Sequence, residues 1–95
     1  MNIERSSKAE FKTGTGTVGT AAQAAGLGFE AAKSVLIKAA AANTDKVYVG
    51  HSINVSSANG FQLAAGESVE IPVDSLDKVF VIGGAASQVY SWVAA

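Results

Sequence analysis

From Ser34 onward, short apolar runs alternate with polar breaks along the chain. SVLIKA (34–39), KVYVG (46–50), ESVEIPV (67–73), KVFVIG (78–83) and QVYSWVA (88–94) are rich in β-branched and aromatic residues, and each is bounded by Gly, Asn, Asp or Ser. Short runs of this kind, recurring every 10 to 20 residues or so, predict an all-β sandwich or barrel. In SVEIPV, Val69, Ile71 and Val73 share one face, while Glu70 and Pro72 share the other. Pro72 has no N–H to give to a ladder, so this run is expected at a sheet edge. VFVI (79–82) is apolar on both faces, as expected of a central strand covered on both sides.

The breaks carry turn chemistry. AANTD (41–45) and SSANG (56–60) read as turns, with Asn59-Gly60 able to supply a positive φ. Gly66 in LAAGES marks a hairpin bend, and Asp74 in PVDSLDK is expected to cap one helical turn.

Residues 1–33 read differently. Their large apolar residues are few: Ile3, Phe11, Val18, Leu27 and Phe29. Between them lie TGTGTVGT and AAQAAGLG, and Gly26 and Gly28 divide the alanine-rich part into pieces too short for a stable helix. The reading is an extended N-terminal arm over 1–33 that orders against something else, followed by a small antiparallel β-sandwich, jelly-roll-like, over 34–95.

GTGTVG (14–19) spells the G-x-G-x-x-G pattern of dinucleotide-binding loops. That loop needs a buried strand before it, a helix after it and an acid some 20 residues on. SKAEFK precedes it, glycines break up the helix candidate after Gly19, and Glu30 and Asp45 fall at the wrong places. The motif is spurious. Alternating Thr and Gly instead suits an extended segment that adds to a sheet edge.

Other candidate chemistry is sparse. The chain has no cysteine and a single histidine, His51, so disulfides, thiolate sites and histidine-based metal sites are not expected. His51 lacks a nucleophile with an orienting acid. Glu67 and Glu70 are three apart on a strand and diverge, and Asp74 and Asp77 lie within one turn without a calcium loop's ligand set. Asn54-Val55-Ser56 matches a glycosylation acceptor by chance in a chain whose opening MNIERSSKAEF does not read as a signal peptide. No cofactor and no enzymatic activity are expected.

A net charge of −1, with Arg5, Lys8, Lys12, Lys33, Lys38, Lys46 and Lys78 scattered, speaks against nucleic-acid partners. No apolar run is long enough for a membrane span. The 48% hydrophobic content includes many alanines, which bury little area, and a folded part of this size with no disulfide is marginal alone. Contacts with partners are therefore expected to contribute. The candidates are Phe11, Val18, Leu27 and Phe29 in the arm and Tyr90 and Trp92 on the last run. Tyr90, Trp92 and Ala94 share one face there and Val89, Ser91 and Val93 the other. Either face suits a core; with the valines inside, the two aromatics form an exposed patch.

The succession KSVLIKA, DKVYVGHS, NGFQLAAGESVEIPVDSLDKVFVIGG and QVYSWVA resembles small β-sandwich proteins of tailed-bacteriophage virions, which often serve as capsid decoration, or cement, proteins. The resemblance covers residues 33–95 and extends loosely to GTVGTAAQ. It implies a structural protein made in the host cytoplasm and located on the outer surface of the capsid. It further implies binding to the major capsid protein lattice as a homo-oligomer, a trimer or dimer at local symmetry points. It brings no catalytic motif. A tail, neck or head-fibre part is the alternative within the virion. A carbohydrate or host-surface binding module, with Tyr48, Tyr90 or Trp92 as stacking platform, is the alternative outside that class.

Overall fold

A computed structural model of the protein describes residues 11–26 and 34–95. Eight strands run in chain order: β1 (Lys12–Val18), β2 (Gln23–Ala24), β3 (Val35–Ala39), β4 (Val47–Gly50), β5 (Phe61–Leu63), β6 (Ser68–Ile71), β7 (Phe80–Gly83) and β8 (Gln88–Ala94). A 3-10 turn, Leu76–Lys78, precedes β7. The strands form two four-stranded sheets, ordered β1-β8-β3-β6 and β2-β7-β4-β5, with every pairing antiparallel. The fold is all-β and β-sandwich-like.

Alternation builds the core. Val35, Ile37 and Ala39 of β3 and Tyr90 and Ala94 of β8 are buried from one sheet, and Val47, Val49, Leu63 and Val81 from the other. All belong to one apolar cluster. Side chains two apart on a strand share a face, so each short run delivers its β-branched residues to the same side. β6 is an edge strand that ends at Ile71, just before Pro72, as its proline requires. β7 is central in its sheet, but Phe80 and Ile82 on its outer face stay half-buried. Cover on both sides would need a third layer, and the described residues form two sheets.

The structure corrects the reading of residues 12–26. Residues 12–18 are extended and add to a sheet edge, but the edge is β8 of the same chain, in register from Lys12↔Ala94 to Val18↔Gln88. Val18 and Ala25 lie in the core. The stretch looked too poor in large residues to fold because its inward positions are Gly14 and Gly16. The apolar mass that fills the space above them stands on the neighbouring strand.

Three turns also differ from expectation. Gly60 does not take a positive φ; among the described residues only Ser87 and Gly66 do, at 61° and 86°. Gly60 is needed for close approach instead, since a Cβ there would come within 2.7 Å of Tyr48 Cβ and 2.9 Å of the Ser56 carbonyl. The Gly66 bend does not close a hairpin within one sheet: it carries the chain from β5 to β6 in the other sheet. Asp74 does not cap the 3-10 turn. Ser75 occupies that position without a side-chain capping bond, its hydroxyl donating to Asp77, while Asp74 accepts from Lys78 at 2.7 Å.

Two polar side chains tie loops to β8. Gln88 is buried, and its amide accepts from Asp45 N–H (2.9 Å) and donates to Thr44 Oγ1 (3.0 Å) and the Ala86 carbonyl (2.9 Å). Asn43 meets Val89 as a peptide group would, donating to its carbonyl and accepting from its N–H, each at 2.8 Å. Asn43 thus continues the pairing of β3 with β8 past the end of β3.

Candidate functional site

The edge between β5 and β6 is where the two sheets part. An apolar groove of about 390 Å³ opens there, lined chiefly by Val49, Phe61, Val69, Ile71, Val73 and Val79. The connection through Gly66 holds one end, with Gly66 N–H donating to the Ala39 carbonyl at 2.9 Å. His51 and Lys78 also line the groove.

Phe61 is the most informative residue of this site. It lies two positions from Leu63 on β5, so both side chains leave the same face of the sheet. Leu63 is buried in the core, whereas Phe61 is 59% exposed. Phe61 therefore projects from the core-facing side of its sheet at a place that β6 does not cover. Its register partner Val49 forms part of the groove floor.

The loop between β4 and β5 flanks the groove and is internally braced. Asn59 Oδ1 accepts from Ser56 N–H at 2.8 Å and its amide donates to the Asn54 carbonyl at 3.3 Å. Val55 folds over Gly50, where a Cβ would stand 2.5 Å from the valine methyl. Val55 is buried, and Ile53 in the same loop is exposed.

Among the residues lining the groove, Lys78 carries a formal charge. Lys78 and Asp74 form an ion pair in the open, and the ammonium beside it holds the Asp74 carboxyl below the usual aspartate range through a hydrogen bond and direct attraction. Among the described residues no group of three or more His, Cys, Asp or Glu side chains converges as a metal site would require. No helix among them is long and apolar enough to cross a membrane.

The six candidate contact residues fall in different places. Phe11, the residue before β1, is 61% exposed. Val18 and Tyr90 are core residues, 1% and 2% exposed, so the aromatic face of β8 is the inner one and Val89 is turned outward. Trp92 is half-buried and packs against the core. Leu27 and Phe29 lie outside the described residues. Sequence reasoning passed over Phe61 and Ile53. Alternation in FQL marks Phe61 as core-facing, but only the sheet order reveals that nothing lies over it.

The glycines of GTGTVG have a packing role. Gly14 pairs with Trp92 and Gly16 with Tyr90. A Cβ on Gly14 would meet the Trp92 ring at 2.5 Å, and one on Gly16 would meet the Tyr90 ring at 2.5 Å. Aromatic rings laid over glycines of an adjacent strand restore the burial those positions lack.

No protein-family model matches the chain, and no curated protein matches it.

Proposed function

We propose that this chain is a structural virion protein, a capsid decoration protein that binds the outer face of a tailed-phage head and bridges adjacent major capsid subunits. The observation that carries the reading is Phe61, a core-facing aromatic left exposed in an apolar groove. A groove of this kind fits an apolar segment of a neighbouring subunit. Fully burying a phenylalanine side chain contributes about 1.5–3 kcal/mol, and many equivalent sites on a shell add.

Two further features support the reading. The strand orders β1-β8-β3-β6 and β2-β7-β4-β5 suit a jelly roll, an architecture common in viral capsid proteins. The succession of strand and turn motifs over residues 33–95 resembles that of the decoration proteins. In this reading the protein is not an enzyme, needs no cofactor and acts as a homo-oligomer. Docking selects the assembled lattice over separated capsomers by mass action. The host-surface alternative is weakened by Tyr90, whose burial removes it from any stacking platform.

The test is the copy number of this chain relative to the major capsid protein in purified virions, by quantitative mass spectrometry. A ratio of the same order as the capsid subunits supports a cement protein. A handful of copies assigns the chain to neck, tail or fibre, and absence from the particle rejects the virion reading.

A further inference from the structure

Strand β1 is built unlike the strands around it. Its inward positions are Gly14, Gly16 and Val18, and only Val18 sends a side chain into the core. Thr13, Thr15 and Thr17 point outward and are exposed. The groups that cover the two glycines both stand on β8, as the rings of Trp92 and Tyr90. Tyr90 is fixed independently of β1, because its hydroxyl donates to the Ala25 carbonyl at 2.6 Å. The seat for β1 is thus a free edge of β8 with two rings held above it, and β1 supplies little beyond its main chain.

Main-chain pairing does not distinguish one copy of the chain from another. The fit of glycine to ring does fix the register. A slip of one residue would put a threonine under each ring, and a slip of two would put Lys12 under Trp92 or Val18 under Tyr90. A strand delivered by a second copy would therefore seat in one way only. The link from β1 to β2 is Gly19 to Ala22, four residues that must cross from the edge of one sheet to the edge of the other. In an exchanged dimer this four-residue link is the hinge through which the strand would leave.

We infer that β1 is an exchangeable strand. Residues 12–18 of one copy pair with β8 of a second copy, with Gly14 beneath Trp92 of the partner subunit and Gly16 beneath Tyr90 of the partner subunit. Each copy then completes its neighbour's sheet. The inference stands apart from the virion reading and concerns the purified chain by itself.

The chain has no cysteine, so thiols can be placed at will. Thr15 and Ser91 are register partners, and both leave the outer face of the sheet. The Thr15→Cys and Ser91→Cys single variants are unfolded, mixed, refolded together at high concentration and oxidised. A disulfide joining position 15 to position 91 then requires β1 of one copy to lie on β8 of the other. The expected result is a band at twice the chain mass whose peptide map joins 15 to 91 several-fold more often than 15 to 15 or 91 to 91. Monomer alone, or same-position linkages alone, overturns the inference. If circular dichroism shows that either variant does not fold, Thr17→Cys and Val89→Cys, a register pair exposed on both sides, take their place with the same two outcomes.

Discussion

The Tyr90 hydroxyl donates a 2.6 Å hydrogen bond to the Ala25 carbonyl, joining β8 of one sheet to the segment just after β2 of the other. Both residues are buried, so water cannot replace the bond. Gln23 reinforces the junction by donating to the Thr17 carbonyl at 3.2 Å and to the Tyr90 hydroxyl oxygen at 3.4 Å. Tyr90→Phe keeps the ring over Gly16 and leaves the Ala25 carbonyl without this donor. The expected loss is about 1–3 kcal/mol, the cost of an unsatisfied buried acceptor. Urea denaturation with an unchanged m-value checks it.

Gly16 and Gly19 make a matched pair for a second experiment. Gly16→Ala drives a methyl into the Tyr90 ring and is expected to destabilise by about 1–3 kcal/mol through overpacking. Gly19→Ala meets nothing closer than Ala86 Cα at 3.8 Å, so its effect is expected to stay within about 0.5 kcal/mol. Thermal unfolding of the two variants decides between packing and mere flexibility. Equal losses would show that the glycines serve backbone freedom rather than ring contact.

These contacts explain which strands could be read in advance. β3, β4, β6, β7 and β8 carry their own β-branched or aromatic residues, so each announces its burial locally. β1 does not, because the side chains that bury it belong to Trp92 and Tyr90 across the sheet. The inner face of β8 was ambiguous for the same reason. Its two faces are both apolar, and the pair of glycines opposite settles them, a relationship between residues far apart in the chain. β2 is two residues long, too short for any period to show, and the three residues of β5 tell only that Phe61 and Leu63 share a face. The groove was illegible because exposure of Phe61 depends on where β6 stops.

Gln88 offers a third prediction. Its buried amide satisfies Asp45 N–H and meets Thr44 and Ala86, which stand on exposed loops. Gln88→Leu keeps the volume and strands the Asp45 N–H. The expected loss is about 1–3 kcal/mol, together with faster hydrogen exchange at the Asp45 amide. Unchanged exchange there would mean that the 43–45 loop is held by Asn43 and its bonds to Val89 alone.

The Asp74–Lys78 pair has a pH signature whose sign comes from its geometry. Lys78 depresses the folded value of Asp74, so the unfolded chain takes up this proton more readily as pH falls. The contribution is present above the ordinary carboxylate range and lost as pH falls through the folded value. Both groups face solvent, so the effect on stability is small. An NMR titration is expected to place Asp74 below a typical aspartate, and Lys78→Met to move it upward. No movement in that variant would show that the pair is not formed in solution.

Phe61 separates docking from folding. It stands largely outside the core, so Phe61→Ser is expected to change stability by no more than about 1 kcal/mol. In the proposed role the same change removes the aromatic anchor from the centre of an apolar contact, where truncations commonly cost about 2 kcal/mol or more. That corresponds to roughly a 30-fold weaker hold on the shell. Sedimentation of purified capsids with wild-type and variant protein measures the difference directly. Ile53→Ser, on the loop beside the groove, serves as the comparison. Equal retention of the Phe61 variant and the wild type would move the contact away from the β5–β6 edge, leaving the outer face of Thr13, Thr15, Thr17 and Val89 as the next surface to mutate.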